Sequence, residues 1–470
     1  MILRASGRWS WSGLKTGRQQ KGQALVYGLF VLTGGLAALF FLFNSGQLSR
    51  EKTKLVNTSD AVAYSAGVMH ARTLNFEAYT NRAMVANTVA IAQLVSLSSW
   101  IQYTNNLATY GFVAQNPKFV LFYPSYYAAL YSGPYLQGYL NDSGALEKLA
   151  RASDKIIRNV LMHAQQVAFA GLPVARKQVM DEVAQANYQN DGTVIVDPVP
   201  LTVTEFSKFV SRYSGNDRTR FAEVTKVSAN KDRFVTKRSW SMAGLWADCA
   251  SAFPRVDWLD RRGGTELLSF DEWKAMDTLS EKRWVPKNKT DVLCQAVAET
   301  PAGWGSGAAA DNSSIDVDPS HYDFSIPVNP GSSGLALTTS SSSWGYSGLP
   351  NFYDLSEETR KQEDPRLQFA IRLRREKGET VTSEGRSAIR TTPRLNDYHA
   401  EFAGGDEIVA VSTSEVFFQR DGDAGNNSYG QSLGKPREIG SLFNPFWQVR
   451  LIQSNANVAK AQAMQGAVLP

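Results

Sequence analysis

The stretch ALVYGLFVLTGGLAALFFLFNSGQLSREKTKLVNTSDAVAYSAG, residues 24–67, decides how the chain is built. Its first 20 residues, Ala24 to Phe43, carry no charge. A helix of that length spans roughly 30 Å, the hydrocarbon thickness of a bilayer. A cleaved secretory signal has an apolar core of about 7–15 residues and ends at a small-x-small site. Here the run is longer and passes into a helical pattern without such a site. A buried core helix seldom goes so far without a charge. The sequence predicts one membrane-spanning helix over residues 23–44.

The flanks set its direction. Residues 1–22 contain Arg4, Arg8, Lys15, Arg18 and Lys21 and no acid. A basic flank stays on the cytoplasmic side, so everything after Asn44 is expected to be exported. The whole chain holds 49 basic and 44 acidic residues. Setting the five of the tail aside leaves 44 of each sign, so the folded body is neutral. A nucleic-acid-binding domain carries its excess charge on the fold, and none is expected here.

Beyond the span, Leu48, Leu55, Val62 and Met69 recur every seven residues and draw one apolar stripe on a helix. No proline interrupts from Gln23 to Asn116. The pattern predicts a helix running from Gln23 to about Gly67, roughly 65 Å long, with a break near Gly67. Such a stripe exposes several hundred Å² of apolar surface unless covered, at about 25 cal/mol per Å². Leu55 and Val62 are expected to meet the protein's own exported domain, and Leu48 to be left for a partner. Asn57, Asp60 and Arg82 are the polar candidates on this helix. An ion pair of Arg82 with Glu77 or Asp60, and buried amides at Asn75, Asn81 and Asn87, would fix helix register and crossing.

The rest of the chain divides by composition. Residues 45–189 read as a helical stem and bundle. Residues 83–100 are apolar but contain Asn87 and Gln93, which fits a core helix better than a second span. An aromatic tract runs from Phe122 to Tyr139, either a filled helix corner or a surface on membrane or neighbours. A long helix is expected from about Leu146 to Asn187. Residues 190–330 are mixed, with strand-like VIVDPVPLTV and many tryptophans. Gly331 to Gly348 reads as a Gly/Ser-rich exposed loop. In 349–470 the period becomes two. Leu367, Phe369, Ile371 and Leu373 alternate with Arg366, Gln368, Arg372 and Arg374, a half-buried strand with a solvated basic face. Ile408–Phe418 and Phe446–Ile452 are further strands. The fold class expected is α+β, with a C-terminal antiparallel sheet.

Catalytic signatures are absent. No G-x-x-x-x-G-K-[ST] or G-x-S-x-G occurs, and the four histidines show no H-E-x-x-H spacing. The H-x-E at His399 and Glu401 lacks the downstream P-C-x-x-C of a zinc deaminase. The turn at Asp421 lacks the later ligands of a calcium loop. No enzyme activity, cofactor, metal or small-molecule substrate is expected. The two cysteines, Cys249 and Cys294, fit a disulfide in an oxidising compartment, or two buried thiols.

The block from Lys21 to Gly67 resembles the N-terminus of TadG-like proteins of the tight-adherence (Flp) pilus system. The shared pattern is a G-Q-A start, one span, then K-L-x-N-x-x-D-A-x-A, here Lys54, Leu55, Asn57, Asp60, Ala61 and Ala63. Segments Ala71–Gln93 and Asn444–Leu451 are similar to longer members of the group. The resemblance implies a single-pass protein of a bacterial inner membrane with a periplasmic, pilin-like domain. It also implies partners among pilus or envelope-assembly proteins and membrane lipid. Two family features are missing. The D-x-S-x-S of a von Willebrand A metal site does not occur; Asp311-Asn312-Ser313 and Asp354-Leu355-Ser356 fail at the last serine. Gly22 is followed by Gln23, and the fifth residue on is Tyr27 where pilins carry Glu. A periplasmic binding or scaffold protein outside any pilus is the alternative, and an envelope enzyme with a site in 190–330 a further one.

Overall fold

A computed structural model of the chain describes residues 23–110, 131–198, 203–243, 257–288, 294–310, 327–339, 344–380, 407–420 and 438–459. Helix α1 runs unbroken from Gln23 to Thr109, 87 residues, or about 130 Å. The break expected near Gly67 does not occur. The glycine serves packing: a Cβ there would lie 2.8 Å from the Ser414 hydroxyl. Removing it lets the helix touch a sheet.

A short helix α2 (131–136) passes through a π-helical turn at Gln137–Asp142. Gly144, at φ +67°, reverses the chain there, a backbone conformation that glycine adopts without cost. Helices α3 (Ala145–Lys155) and α4 (His163–Asn187) follow, joined by π-helical turns at Ile156–Met162. They form the long second helix that the sequence predicts. Then come β1 (Ile195–Pro198), α5 (Val203–Phe209), β2 (Val210–Tyr213), α6 (Thr219–Ala229) and β3 (Arg238–Ala243). Three long strands come next: β4 (Trp258–Ser269), β5 (Glu272–Pro286) and β6 (Cys294–Ala310). The remainder is α7 (Pro330–Thr339), β7 (Trp344–Gly345), β8 (Phe352–Leu355), α8 (Glu357–Arg360), β9 (Arg366–Glu376), β10 (Glu407–Phe418) and β11 (Trp447–Ile452).

The architecture is α+β. One sheet has the order β1-β9-β10-β11, all antiparallel; a second pairs β2 with β8; a third runs β3-β4-β5-β6-β7, antiparallel except for β6 with β7. The C-terminal strands take their expected places, and β1 from the mixed region adds to the same sheet. The described part of 331–348 is not an exposed loop: residues 331–339 form most of α7 and Trp344–Gly345 form β7, with Ala336 and Tyr346 buried.

Every sheet is organised around α1. Leu55, Val62, Ala63 and Ala66 pack with Met180 of α4 and with Phe369 and Ile371 of β9. Further on, Leu74 packs with Phe209, Phe418 and Trp447. Beyond that, Met84, Ile91 and Val95 join Phe221, Trp273 and Phe352. The far end of the helix lies on β6, where Gly303, Gly305 and Gly307 face it. A Cβ on Gly307 would sit 2.7 Å from the Val95 carbonyl oxygen, and one on Gly303 2.9 Å from the Tyr103 ring. Three alternate glycines therefore make one face of the strand a flat bed for the helix backbone. Residues 24–43 contribute nothing to these cores. All 20 are exposed, and they make α1 long and apolar enough to cross a membrane.

Candidate functional site

The functional question is what α1 does between its apolar end and its far tip. Eight residues past Phe43 it meets a collar of charge. Glu51 pairs with the fully buried Arg375 at 3.1 Å, and Lys54 with Asp191 at 2.5 Å. The Tyr188 ring lies between the two cations, 4.2 Å from the Lys54 ammonium and 4.4 Å from the Arg375 guanidinium. Burial, with Glu51 alongside, pushes the Tyr188 hydroxyl's pKa well above its ordinary range. It stays a neutral phenol beside two cations. Leu48 is half-buried and borders the core that holds Leu55 and Val62; it is shared between that core and the surface.

Farther along, α1 and α4 enclose a polar seam. His70 and Arg176 are buried, and His70 Nε2 lies 2.8 Å from Arg176 Nη1. Burial, and then the guanidinium, push the imidazole pKa down to about 3. The ring is neutral, so Nε2 accepts from the arginine and Nδ1 holds the proton. No hydrogen-bond partner meets that Nδ1. Phe206 stacks on His70 at 5.4 Å, and Phe369 lies 4.4 Å under the guanidinium. The Phe369 ring thus does for this cation part of what a carboxylate does elsewhere, while Phe206 holds the imidazole.

Two turns on, Glu77 is fully buried and neither carboxylate oxygen has a hydrogen-bond partner. Burial pushes its pKa up to about 9. It is a neutral acid at pH 7, because an ionised carboxylate in that place is too costly. Next to it Gln165 donates to Asn81 Oδ1 at 2.7 Å, and the Asn81 amide donates to the carbonyls of Tyr353 and Leu442. One side chain so ties α1 to α4, to β8 and to the turn before β11. His70 precedes Asn81 by eleven residues, and Arg176 follows Gln165 by eleven. The two polar contacts therefore lock a single antiparallel register of the helices.

The other amides divide. Asn75 brackets Trp447, donating to its carbonyl and accepting from its N–H, both at 2.9 Å. Asn87 donates to the Ala83 carbonyl of its own helix. Asp60 accepts from Ser412, which also accepts from Ser59. Two expectations need correction. Asn57 is exposed and takes no part in the packing. Arg82 is exposed as well and pairs with neither Glu77 nor Asp60; the helix turns it outward while Glu77 points into the core. Sequence reasoning missed Arg176 and Gln165. Their spacing along α4, matching that of His70 and Asn81, was the available signal.

The basic strand face is also not simply solvated. Arg372 and Arg374 pair with Asp197 of β1, Arg374 also with Glu407, and Arg366 and Arg450 with Glu415. The ion pairs cross every strand boundary of that sheet. In the third sheet Asp277, fully buried, receives Arg238, Arg261 and the Ser99 hydroxyl. Cys294 is buried and disulfide-bonded; Cys249, the other cysteine, lies outside the described residues, as does most of the aromatic tract. Its described part, Tyr131, Tyr135 and Tyr139, is exposed.

The seam is sealed. Its five principal side chains are at most 5% exposed, so no substrate reaches them; they hold register. Among the described residues, no group of three or more His, Cys, Asp or Glu side chains could hold a metal ion. What the arrangement does is couple an apolar helical end to a whole domain without slack. No family model, curated protein or solved structure matches the chain.

Proposed function

We propose that this chain is a membrane-anchored structural or assembly component, minor pilin-like in plan, of a tight-adherence (Flp-type) pilus. The basic tail lies in the cytoplasm, residues 24–43 span the inner membrane, and the domain stands in the periplasm. The observation that carries the reading is the continuity of α1. It passes from a fully exposed apolar segment into the centre of three successive cores with no linker between. A tether for an enzyme needs slack, because a soluble domain has no use for a fixed angle to the membrane. A component that must seat against neighbours at a fixed depth needs the opposite. The resemblance of residues 21–67 to TadG-like proteins supports the same reading.

The test pairs two substitutions. Val62→Asp buries a charge and is expected to lower the abundance of the protein. Leu48→Asp, at a half-buried position, is expected to spare abundance and reduce pilus output. Fractionation of cells before and after shearing the pili then shows whether the protein leaves with the fibre or stays at its base. Normal piliation with both variants, at reduced Val62→Asp abundance, would leave the scaffold reading in its place.

A further inference from the structure

Between α1 and α6 lies an open groove of 920 Å³. The two helices run parallel there. At one end Asn81 and Arg220 both reach the β8 strand, through the Tyr353 carbonyl and Asp354; at the other, Gln93 donates to Asp232 and Ser96 to the Phe234 carbonyl. The lining residues fall at the same intervals along both segments, from Arg82 to Gln93 on α1 and from Arg220 to Ser228 on α6, with Lys231 in the turn that follows. Three turns of α1, roughly 16 Å, therefore face the same space as α6 and the turn that follows it. Val85, Val89, Val224 and Val227 make its floor, and Val227 is 57% exposed. Arg82 and Arg220 stand at one end, Arg220 already paired with the buried Asp354, and Lys231 stands at the other, with Glu223 as the one acid of the lining. Arg82 and Lys231 are exposed, and neither is in an ion pair with a described residue.

We propose that this groove docks an acidic amphipathic helix of another protein. Its apolar face lies on the valine floor and its carboxylates meet Arg82 and Lys231. Two parallel helices with an aliphatic trough between them are two walls of a three-helix packing, and a helix with an i, i+3, i+4, i+7 stripe is the third. Arg82 and Lys231, the two unpaired cations of the lining, outnumber its one acid, Glu223, and so choose a negative partner; the charges would set its orientation and speed its capture. A lipid surface is out of reach: Arg82 follows Phe43 by 39 residues of the same helix, roughly 60 Å. The proposal holds whether or not the chain serves a pilus.

The experiment uses the full chain in detergent micelles and two fluorescent 16-residue model helices. Both carry a leucine stripe; one is flanked by glutamates, its twin by lysines. The glutamate helix is expected to raise its anisotropy on binding, with an affinity that falls as salt rises, and the lysine twin to stay free. Arg82→Glu combined with Lys231→Glu is expected to weaken the glutamate helix at least tenfold and to admit the lysine twin. Both positions are exposed, so the melting temperature is expected to hold. Equal binding of the twins, no binding, or an affinity that ignores the charge reversal overturns the proposal. A photo-cross-linking residue at Ala86, in living cells, identifies the occupant. An adduct to a different protein that is lost in the charge-reversed variant is expected. A link within the chain, or to a second copy of it, overturns the choice of partner.

Discussion

Gly305 of β6 lies directly beneath Ser99 of α1, so close that a Cβ at Gly305 would fall inside contact distance of the Ser99 carbonyl oxygen and 3.0 Å from the Tyr103 Cα. The strand is glycine there because the helix backbone rests on it. Gly305→Val is expected to destabilise the fold by at least about 2 kcal/mol, since backbone cannot move aside as a side chain can. Gly171 is the control. It is exposed in α4 with nothing within 4 Å, and Gly171→Ala is expected to stabilise by about 0.5–1 kcal/mol. Chemical denaturation of the two variants gives both values, and a harmless Gly305→Val would mean that helix and strand stand farther apart.

Glu77 makes stability depend on pH with a definite sign. Its carboxyl is neutral in the fold, with a pKa of about 9, and ionises near the ordinary carboxylate value once unfolded. The unfolded state therefore releases a proton first, and stability falls as pH rises from about 4.5 to about 9. Glu77→Gln keeps the shape and removes the proton. It is expected to stabilise the protein more at pH 8 than at pH 5, by at least about 1 kcal/mol. An equal gain at both pH values would place Glu77 in contact with solvent or a cation.

The His70–Arg176 contact is expected to show strong non-additivity. His70→Phe leaves a buried guanidinium without its acceptor and should cost about 3 kcal/mol. Arg176→Met on that background removes the stranded charge and should restore most of the loss. A thermodynamic cycle over the two positions measures the coupling. Additive losses would show that the Phe369 ring carries the cation without help from His70.

Topology is open to a direct assay. Alkaline phosphatase fused after Asp60 is expected to be active, and a cytoplasmic reporter at the same position inactive. The reverse pattern would invert the orientation that the five basic residues of the tail predict.

The parts of the fold legible in the sequence are those whose elements have one wet side. The stripe Leu48-Leu55-Val62-Met69 announces α1, and Leu367-Phe369-Ile371-Leu373 announces β9. The third sheet was hidden because it breaks that rule. Asp260, Lys274, Asp277 and Glu281 are buried in it, held by ion pairs within a strand (Lys274 with Glu272, Glu281 with Arg283) or between strands (Asp260 with Lys282, Asp277 with Arg238 and Arg261), so its strands do not alternate between apolar and polar. β6 is hidden for a second reason: its glycines and alanines are poor strand formers in isolation, and only the helix lying on them explains their presence. The polar seam was half legible. Asn75 and Asn81 stood out among apolar neighbours, whereas Arg82 was placed inward because seven-residue spacing does not fix which way a flanking arginine turns. The groove needs α6 beside α1, and no local pattern pairs those two helices.

The unbroken spine also fixes a timetable. α1 is synthesised before its partners: the hydroxyl that meets Ser59 belongs to Ser412, and the backbone that meets Asn75 belongs to Trp447, 372 residues later. Contacts so distant in sequence form slowly, because long loops must close before any of them can help. The helix that runs through the three cores is therefore made well before the strands that cover it. Until those strands are made the chain carries an open apolar flank beside an exposed apolar helical end, and a holding chaperone would have its binding site there.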